Sequence, residues 1–291
     1  MSELKPIVVA TDFSTCAEQA VQRAARLAAA GGNPLRLLHV LPPRRLAELH
    51  GKALAARVRE TSQQRLAAAV AALCKDYAIA CTGALREDEL LAAVSREVED
   101  SAPSLLVLGA RGHSRLRRWL LGSTASRLLE GLSLPMLVVR TPVTAAYGKL
   151  LVASDLGPAG MAAIQAAATW AGDAHGLLCH VYRVPFEGVL HYAGVTRALI
   201  DGERDAAYDL AHKGLARQLA AAAASFAGRL EGRLLEGDVA GQLLDIAREQ
   251  NVELLAVSRR NSAGVPNWAL GSVARHLLAE AHCDVLVVPP G

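Results

Sequence analysis

One short stretch of the chain carries the residue types that hold a phosphate. It reads Leu108-Gly109-Ala110-Arg111-Gly112 and then, after nine further residues, Gly122-Ser123-Thr124. Gly109 and Gly112 place no side chain where a backbone must come close to an anion, and Arg111 supplies a cation. Ser123 and Thr124 offer hydroxyl donors. A helix opened by Gly122 and running to Glu130 would turn its unpaired N–H groups and the positive end of its dipole toward the same anion. The same residues also suit a plain strand-end turn and a helix cap, so the elements around them decide.

Those elements alternate. Short apolar runs at residues 7–10, 35–40, 79–82, 105–108 and 136–139 read as strands, nearly all apolar as strands covered on both faces must be. Between them lie stretches of helical periodicity. Residues 15–30 open on Thr15-x-x-Glu18, a capping-box pattern, and close on Gly31-Gly32. Residues 46–76 form a long helical stretch with an interruption near Gly51, and residues 88–100 a shorter one. This is the pattern of βαβ units and a parallel sheet. The second half repeats it: Ile7-Val8-Val9-Ala10-Thr11-Asp12 matches Leu150-Leu151-Val152-Ala153-Ser154-Asp155, His39-Val40 matches His180-Val181, and Gly122-Ser123 matches Gly271-Ser272. The sequence predicts an α/β chain of two tandem doubly wound five-stranded parallel-sheet domains, residues 1–144 and 145–291.

The spacing G-x-x-G, nine residues, G-S, in a five-stranded unit whose first strand ends in Asp12 and whose second ends in His39-Val40, resembles the ATP-binding branch of the universal stress protein family. The resemblance covers the chain twice. It implies a Rossmann-like, adenine nucleotide alpha hydrolase-like fold, and ATP as the ligand, with Mg²⁺ able to accompany the phosphates. Asp12 and Val40 would then bracket the adenine and ribose end, Leu108 and Gly109 would line the ribose side, Arg111 and Gly112 would form the phosphate loop, and Gly122, Ser123 and Thr124 would make the oxyanion side. It also implies that the halves pair through their fifth strands, 136–139 against 285–288, as an intramolecular pseudo-dimer, with a further homodimer left open.

The second half departs from the pattern. Ser258 and Asn261 stand where Gly109 and Gly112 do, with Arg259 and Arg260 between them, although Asp155, Val181, Gly271 and Ser272 remain. Side chains then fill the space a phosphate needs, so a degenerate second site is expected. The competing reading has Arg259 and Arg260 hold a smaller anion or a shorter nucleotide.

Composition removes other classes. A formal net charge of +3 and 4% aromatic residues give neither the positive field nor the stacking platforms of a nucleic-acid binder, and Arg115, Arg117 and Arg118 read as part of a loop near the phosphate. Five cysteines without a C-x-x-C spacing indicate no disulfide framework or zinc ribbon, only reduced and packed thiols. Cys179-His180 and His282-Cys283 tempt a zinc reading, but the family's strand order sends them to opposite sides of a sheet. No apolar run approaches the ~18 residues of a membrane span and no secretory leader is visible, so a cytoplasmic address is expected. Neither a Ser-His-Asp order, nor H-E-x-x-H, nor a Walker G-x-x-x-x-G-K-[ST] occurs, and the resemblance implies that Asp12 would fall at the base end of the nucleotide, far from its terminal phosphate. The expectation is a stress-response protein that binds an adenine nucleotide and has no assigned catalytic residue. A weak ATPase of the same fold and a nucleotide-independent interaction scaffold are the rivals.

Overall fold

The structure, a computed structural model, describes residues 4–110, 127–129, 131–184, 193, 195–226, 229–259 and 270–289. Arg111, Gly112, Gly122, Ser123 and Thr124 of the expected phosphate site, with Arg260 and Asn261 of its counterpart, lie outside the described residues. The chain divides into two compact units: Met1–Ala146 with Val265–Leu270 and His282–Val287, and Tyr147–Gly264 with Gly271–Ala281 and Val288–Gly291.

In the first unit β1 (Ile7–Thr11), β2 (Leu35–Val40), β3 (Cys81–Arg86), β4 (Leu105–Gly109) and β5 (Met136–Val139) form a parallel sheet in the order β3-β2-β1-β4-β5. Ile7, Val8, Val9, Leu37, Leu38 and the first four residues of β4 are buried, which is why those strands show no polar alternation. The helices are α1 (Thr15–Gly31), α2 (Pro43–Ala47), α3 (Lys52–Tyr77) and α4 (Leu90–Ser101). Gly51, at φ 104°, separates α2 from α3 in a backbone conformation that glycine adopts without strain. On α1, Ala20, Val21, Ala24, Leu27 and Ala28 make the buried face.

Two sequence expectations are corrected. The helix cap is Ser14 rather than Thr15: Ser14 Oγ accepts the Ala17 N–H at 3.3 Å while Ser14 itself is extended. The third strand runs Cys81–Arg86 and not 79–82, because Leu35 pairs with Cys81 and Val40 with Arg86, and the left-handed Ala78 first has to turn the chain. As an edge strand with Thr82 and Gly83 exposed, β3 lacks the continuous apolar signature of its neighbours.

The first unit also takes in a strand from the far end of the chain. In β10 (Asp284–Val288), Val285, Leu286 and Val287 pair antiparallel with Val138, Leu137 and Met136 of β5. Asp284 is fully buried; its Oδ1 accepts the Arg140 N–H at 2.8 Å, the Thr141 N–H at 3.1 Å and the Thr141 hydroxyl at 3.0 Å. Its Oδ2 lies 3.4 Å from Arg23 Nε, and Arg23 also donates to the Ala145 carbonyl at 2.9 Å. Two opposite charges removed from water in this way are tolerated because each is hydrogen-bonded.

The second unit holds β6 (Lys149–Ala153), β7 (His175–Tyr182), β8 (Leu230–Glu236) and β9 (Leu254–Ser258), parallel in the order β9-β6-β7-β8. Its helices are α5 (Pro158–Ala171), α6 (Arg197–Ala222), α7 (Val239–Glu249) and α8 (Ser272–Glu280). The duplication extends to packing detail. Gly83 of β3 lies under Leu66 and Val70 of α3, and Gly232 of β8 lies under Leu215 and Leu219 of α6, each where a Cβ would collide with leucine. Among the described residues no helix is long and apolar enough to cross a membrane.

Candidate functional site

The first unit brings Asp12, Val40, Leu108 and Gly109 to the carboxyl ends of three neighbouring strands. Asp12 follows β1, Val40 ends β2, and Leu108 and Gly109 end β4. From β1 the chain proceeds outward to β2 and β3, then returns to place β4 on the other side of β1. The order therefore reverses between β1 and β4, where doubly wound sheets open a crevice for ligands.

The loop leaving β1 is held in one conformation by several contacts. Phe13 adopts φ 58°, a left-handed conformation that costs a non-glycine residue about 1–2 kcal/mol. Its N–H donates to Thr11 Oγ1 at 3.0 Å, and the next N–H, of Ser14, donates to Asp12 Oδ1 at 3.0 Å. The Phe13 ring has two partners: the Arg65 guanidinium carbon is 4.6 Å from its centroid and the His39 ring centroid is 4.6 Å away. His39 Nδ1 lies 2.7 Å from the Thr11 carbonyl oxygen, which can only accept, so Nδ1 carries the proton. Burial holds the imidazole below its ordinary value, with Arg65 acting in the same direction; the Thr11 bond and Asp12 oppose them. A neutral ring thus tethers β2 to the β1 exit.

Gly109 owes its residue type to protein as well as to any ligand. A Cβ there would lie 2.7 Å from the Cys16 carbonyl oxygen and 3.1 Å from the Ala17 nitrogen, inside the first turn of α1. That close approach brings the end of β4 against the start of the helix.

The second unit repeats the loop and fills it. Leu156 has φ 62°, its N–H donates to Ser154 Oγ at 3.0 Å, and His180 Nδ1 lies 2.9 Å from the Ser154 carbonyl oxygen. Here Gln218 of α6, itself buried, reaches in. Its Oε1 lies 2.5 Å from Ser154 Oγ and its Nε2 donates to the Gly157 carbonyl at 3.1 Å. Asp155 Oδ1 accepts two backbone N–H groups, from Gly157 at 2.9 Å and Gly160 at 3.0 Å, and so caps α5, whose cap residue Gly157 has no side chain. At the end of β9, Ser258 and Arg259 are buried, and the Arg259 N–H donates to the Val288 carbonyl at 2.6 Å. Burial lowers the guanidinium of Arg259 from its ordinary value.

A model of the universal stress protein family matches residues 3–140 and matches again over residues 146–289. The chain belongs to the universal stress protein family. It is similar to universal stress proteins of Mycobacterium tuberculosis and Mycobacterium bovis, each 26% identical over 306 aligned residues that span 97% of this chain and 94% of theirs. The crystal structure of a universal stress protein from Archaeoglobus fulgidus is similar across 98% of both chains, with a TM-score of 0.69 at 16% identity, which speaks for the fold. A universal stress protein of this length thus carries the family's domain twice.

Of the nine expected site residues, the described part of this universal stress protein contains Asp12, Val40, Leu108 and Gly109. Sequence reasoning missed Phe13, Arg65 and Gln218. Phe13 is one of three phenylalanines and follows the Asp at a strand end, which was the available signal; Arg65 and Gln218 sit within long helices and gave none. Among the described residues no group of three or more His, Cys, Asp or Glu side chains gathers to hold a metal ion.

Proposed function

We propose that this universal stress protein binds ATP, or another adenine nucleotide, in its first domain, and that the matching site in the second domain is degenerate. The observation that carries the reading is the position of Asp12, Val40 and Gly109 at the sheet's switch point, directly before the stretch with Arg111, Gly112, Gly122, Ser123 and Thr124. The described residues fit the adenosine end. Asp12 is an acceptor suited to ribose hydroxyls, on a loop pinned by Thr11, Phe13 and His39. Arg111, Gly112 and the Gly122–Thr124 hydroxyl and amide donors would take the phosphates, and Mg²⁺ would neutralise part of their charge. No residue is assigned to hydrolysis. In this reading residues 1–144 and 145–291 are the two domains, and the second completes an intramolecular pseudo-dimer, for which the β5–β10 pairing is the support.

The test is to denature purified protein and identify the released small molecules by mass spectrometry. The wild type and Asp155→Ala should each release a single adenine nucleotide per chain, and Gly112→Val and Asp12→Ala none. A wild type that releases none and takes none up from Mg·ATP overturns the reading and leaves the scaffold. Phosphate release that disappears in Gly112→Val or Ser123→Ala would instead favour a weak ATPase.

A further inference from the structure

Two of the five cysteines face each other across a helix–strand contact outside the candidate nucleotide site. Leu66, Val70 and Cys74 follow one another at intervals of four along α3 and share one face of it. Cys81 and Gly83 share one face of β3, by the period of two. The two faces meet: a Cβ on Gly83 would lie 2.9 Å from Leu66 Cγ and 3.1 Å from Val70 Cγ2. One helical turn further along α3, and two residues back along β3, the same contact opposes Cys74 to Cys81. Cys74 Sγ lies 3.9 Å from the Cys81 carbonyl oxygen. Both side chains are half-buried, whereas Cys179 and Cys283 are sealed in the core.

We propose that Cys74 and Cys81 are a modification site, a thiol pair that a hydroperoxide converts into a reversible disulfide joining the last turn of α3 to the first residue of β3. The Cys74 thiolate attacks one peroxide oxygen; an S–O bond forms, the O–O bond breaks, the other oxygen leaves as water (or alcohol) after protonation, and Cys74 becomes a sulfenic acid. The Cys81 sulfur then attacks the Cys74 sulfur. The S–S bond forms, the S–O bond breaks, and the hydroxyl leaves as a second water. Two thiols lose two electrons and two protons in total, and the peroxide gains them. Burial, and next the hydrogen bond and charge of the Cys74 thiol, push the Cys81 thiol up to about 12, in keeping with its place as the second sulfur to react. The bridge would fasten an edge strand to the helix that carries Arg65, the partner of Phe13.

The experiment exposes the folded full-length chain to hydrogen peroxide, then denatures it in N-ethylmaleimide and maps tryptic peptides. Cleavage after Arg65, Lys75 and Arg86 separates the two cysteines, so a bridge appears as residues 66–75 joined to residues 76–86, lighter than the two peptides by two hydrogen atoms. The expected result is that linkage, loss of two of the five labelled thiols, and their return on treatment with dithiothreitol. In Cys81→Ser the expected product is a Cys74 sulfenic acid captured by dimedone. Five thiols still labelled, a sulfinic acid on Cys74 without the joined peptide, or a link through Cys16 would each overturn the proposal, and the wild-type map alone decides it if the variant fails to fold.

Discussion

The loops that leave β1 and β6 begin alike and end differently. Each has a hydroxyl residue that accepts the N–H of a left-handed Phe13 or Leu156, an aspartate between them, and a histidine from the next strand tied to the hydroxyl residue's carbonyl. The difference lies in who caps the helix that follows. Ser14 does so for α1, and Asp12 Oδ1 accepts the Ser14 N–H. Gly157 cannot, so Asp155 caps α5 instead, and Gly160 leaves the room: a Cβ there would stand 2.9 Å from Asp155 Oδ1, at the position Ala17 holds in the first half. Gln218 completes the closure where α3 has Ala69. An aspartate retained in sequence thus makes different contacts in the two halves. Its neighbours two to five residues along determine how far its carboxylate reaches into the first turn of the helix, to the Ser14 N–H in one half and to the Gly160 N–H in the other.

Substitutions can break this contrast at several strengths. The largest effect is expected at Gly109→Val, where the collision is with the Cys16 backbone and cannot be relieved by a rotamer change; about 1–3 kcal/mol should be lost, read as a lower urea midpoint. Ser258→Val, at the matching position already occupied by a side chain, should lose less. Next comes Gln218→Leu, which removes partners from the Ser154 hydroxyl and the Gly157 carbonyl and should cost about 1–2 kcal/mol in the same measurement. Asp155→Ala removes a cap and should cost about 1 kcal/mol, as should Ser14→Ala in the first half. Asp12→Ala should cost less than either, and equal losses from the two aspartates would erase the contrast.

The smallest effect is on pH dependence. Because the folded-state value of His39 is lowered, its contribution to stability is present above the unfolded-chain value near 6.5 and is lost as the pH falls through the folded one. Tm measured from neutral to mildly acidic pH should therefore fall less steeply in His39→Gln than in wild type.

The strands were readable where burial leaves a continuous apolar run, as in 105–108 and 136–139, and so was the break at Gly51, because glycine marks it locally. β3 was misread by two residues at its start and four at its end. Edge exposure removed the apolar signal, and its register comes from pairing with β2, a tertiary fact. The cap was placed one residue late because Ser14 and Thr15 offer the same hydroxyl, and only the turn made by Asp12 and Phe13 selects between them. For the candidate site, strand-end position made Asp12, Val40 and Gly109 legible. Left-handed Phe13 and Leu156 were not, since neither side chain favours that conformation, and Gln218 becomes visible only when a helix many residues away lies over the loop.

The antiparallel strand that β10 lays on β5 has a consequence for the order of synthesis. Met136–Val139 leaves the ribosome long before Asp284–Val288 exists, and at about 5–20 residues per second the interval is on the order of ten seconds. Throughout it the nascent first half shows a bare Met-Leu-Val-Val rim, and Arg23 has not yet met Asp284. Such a rim is a template for pairing with an identical neighbour. On a polysome, where copies of the same half emerge side by side, the hazard is self-recognition between nascent chains, and the C-terminal strand is the piece that ends it.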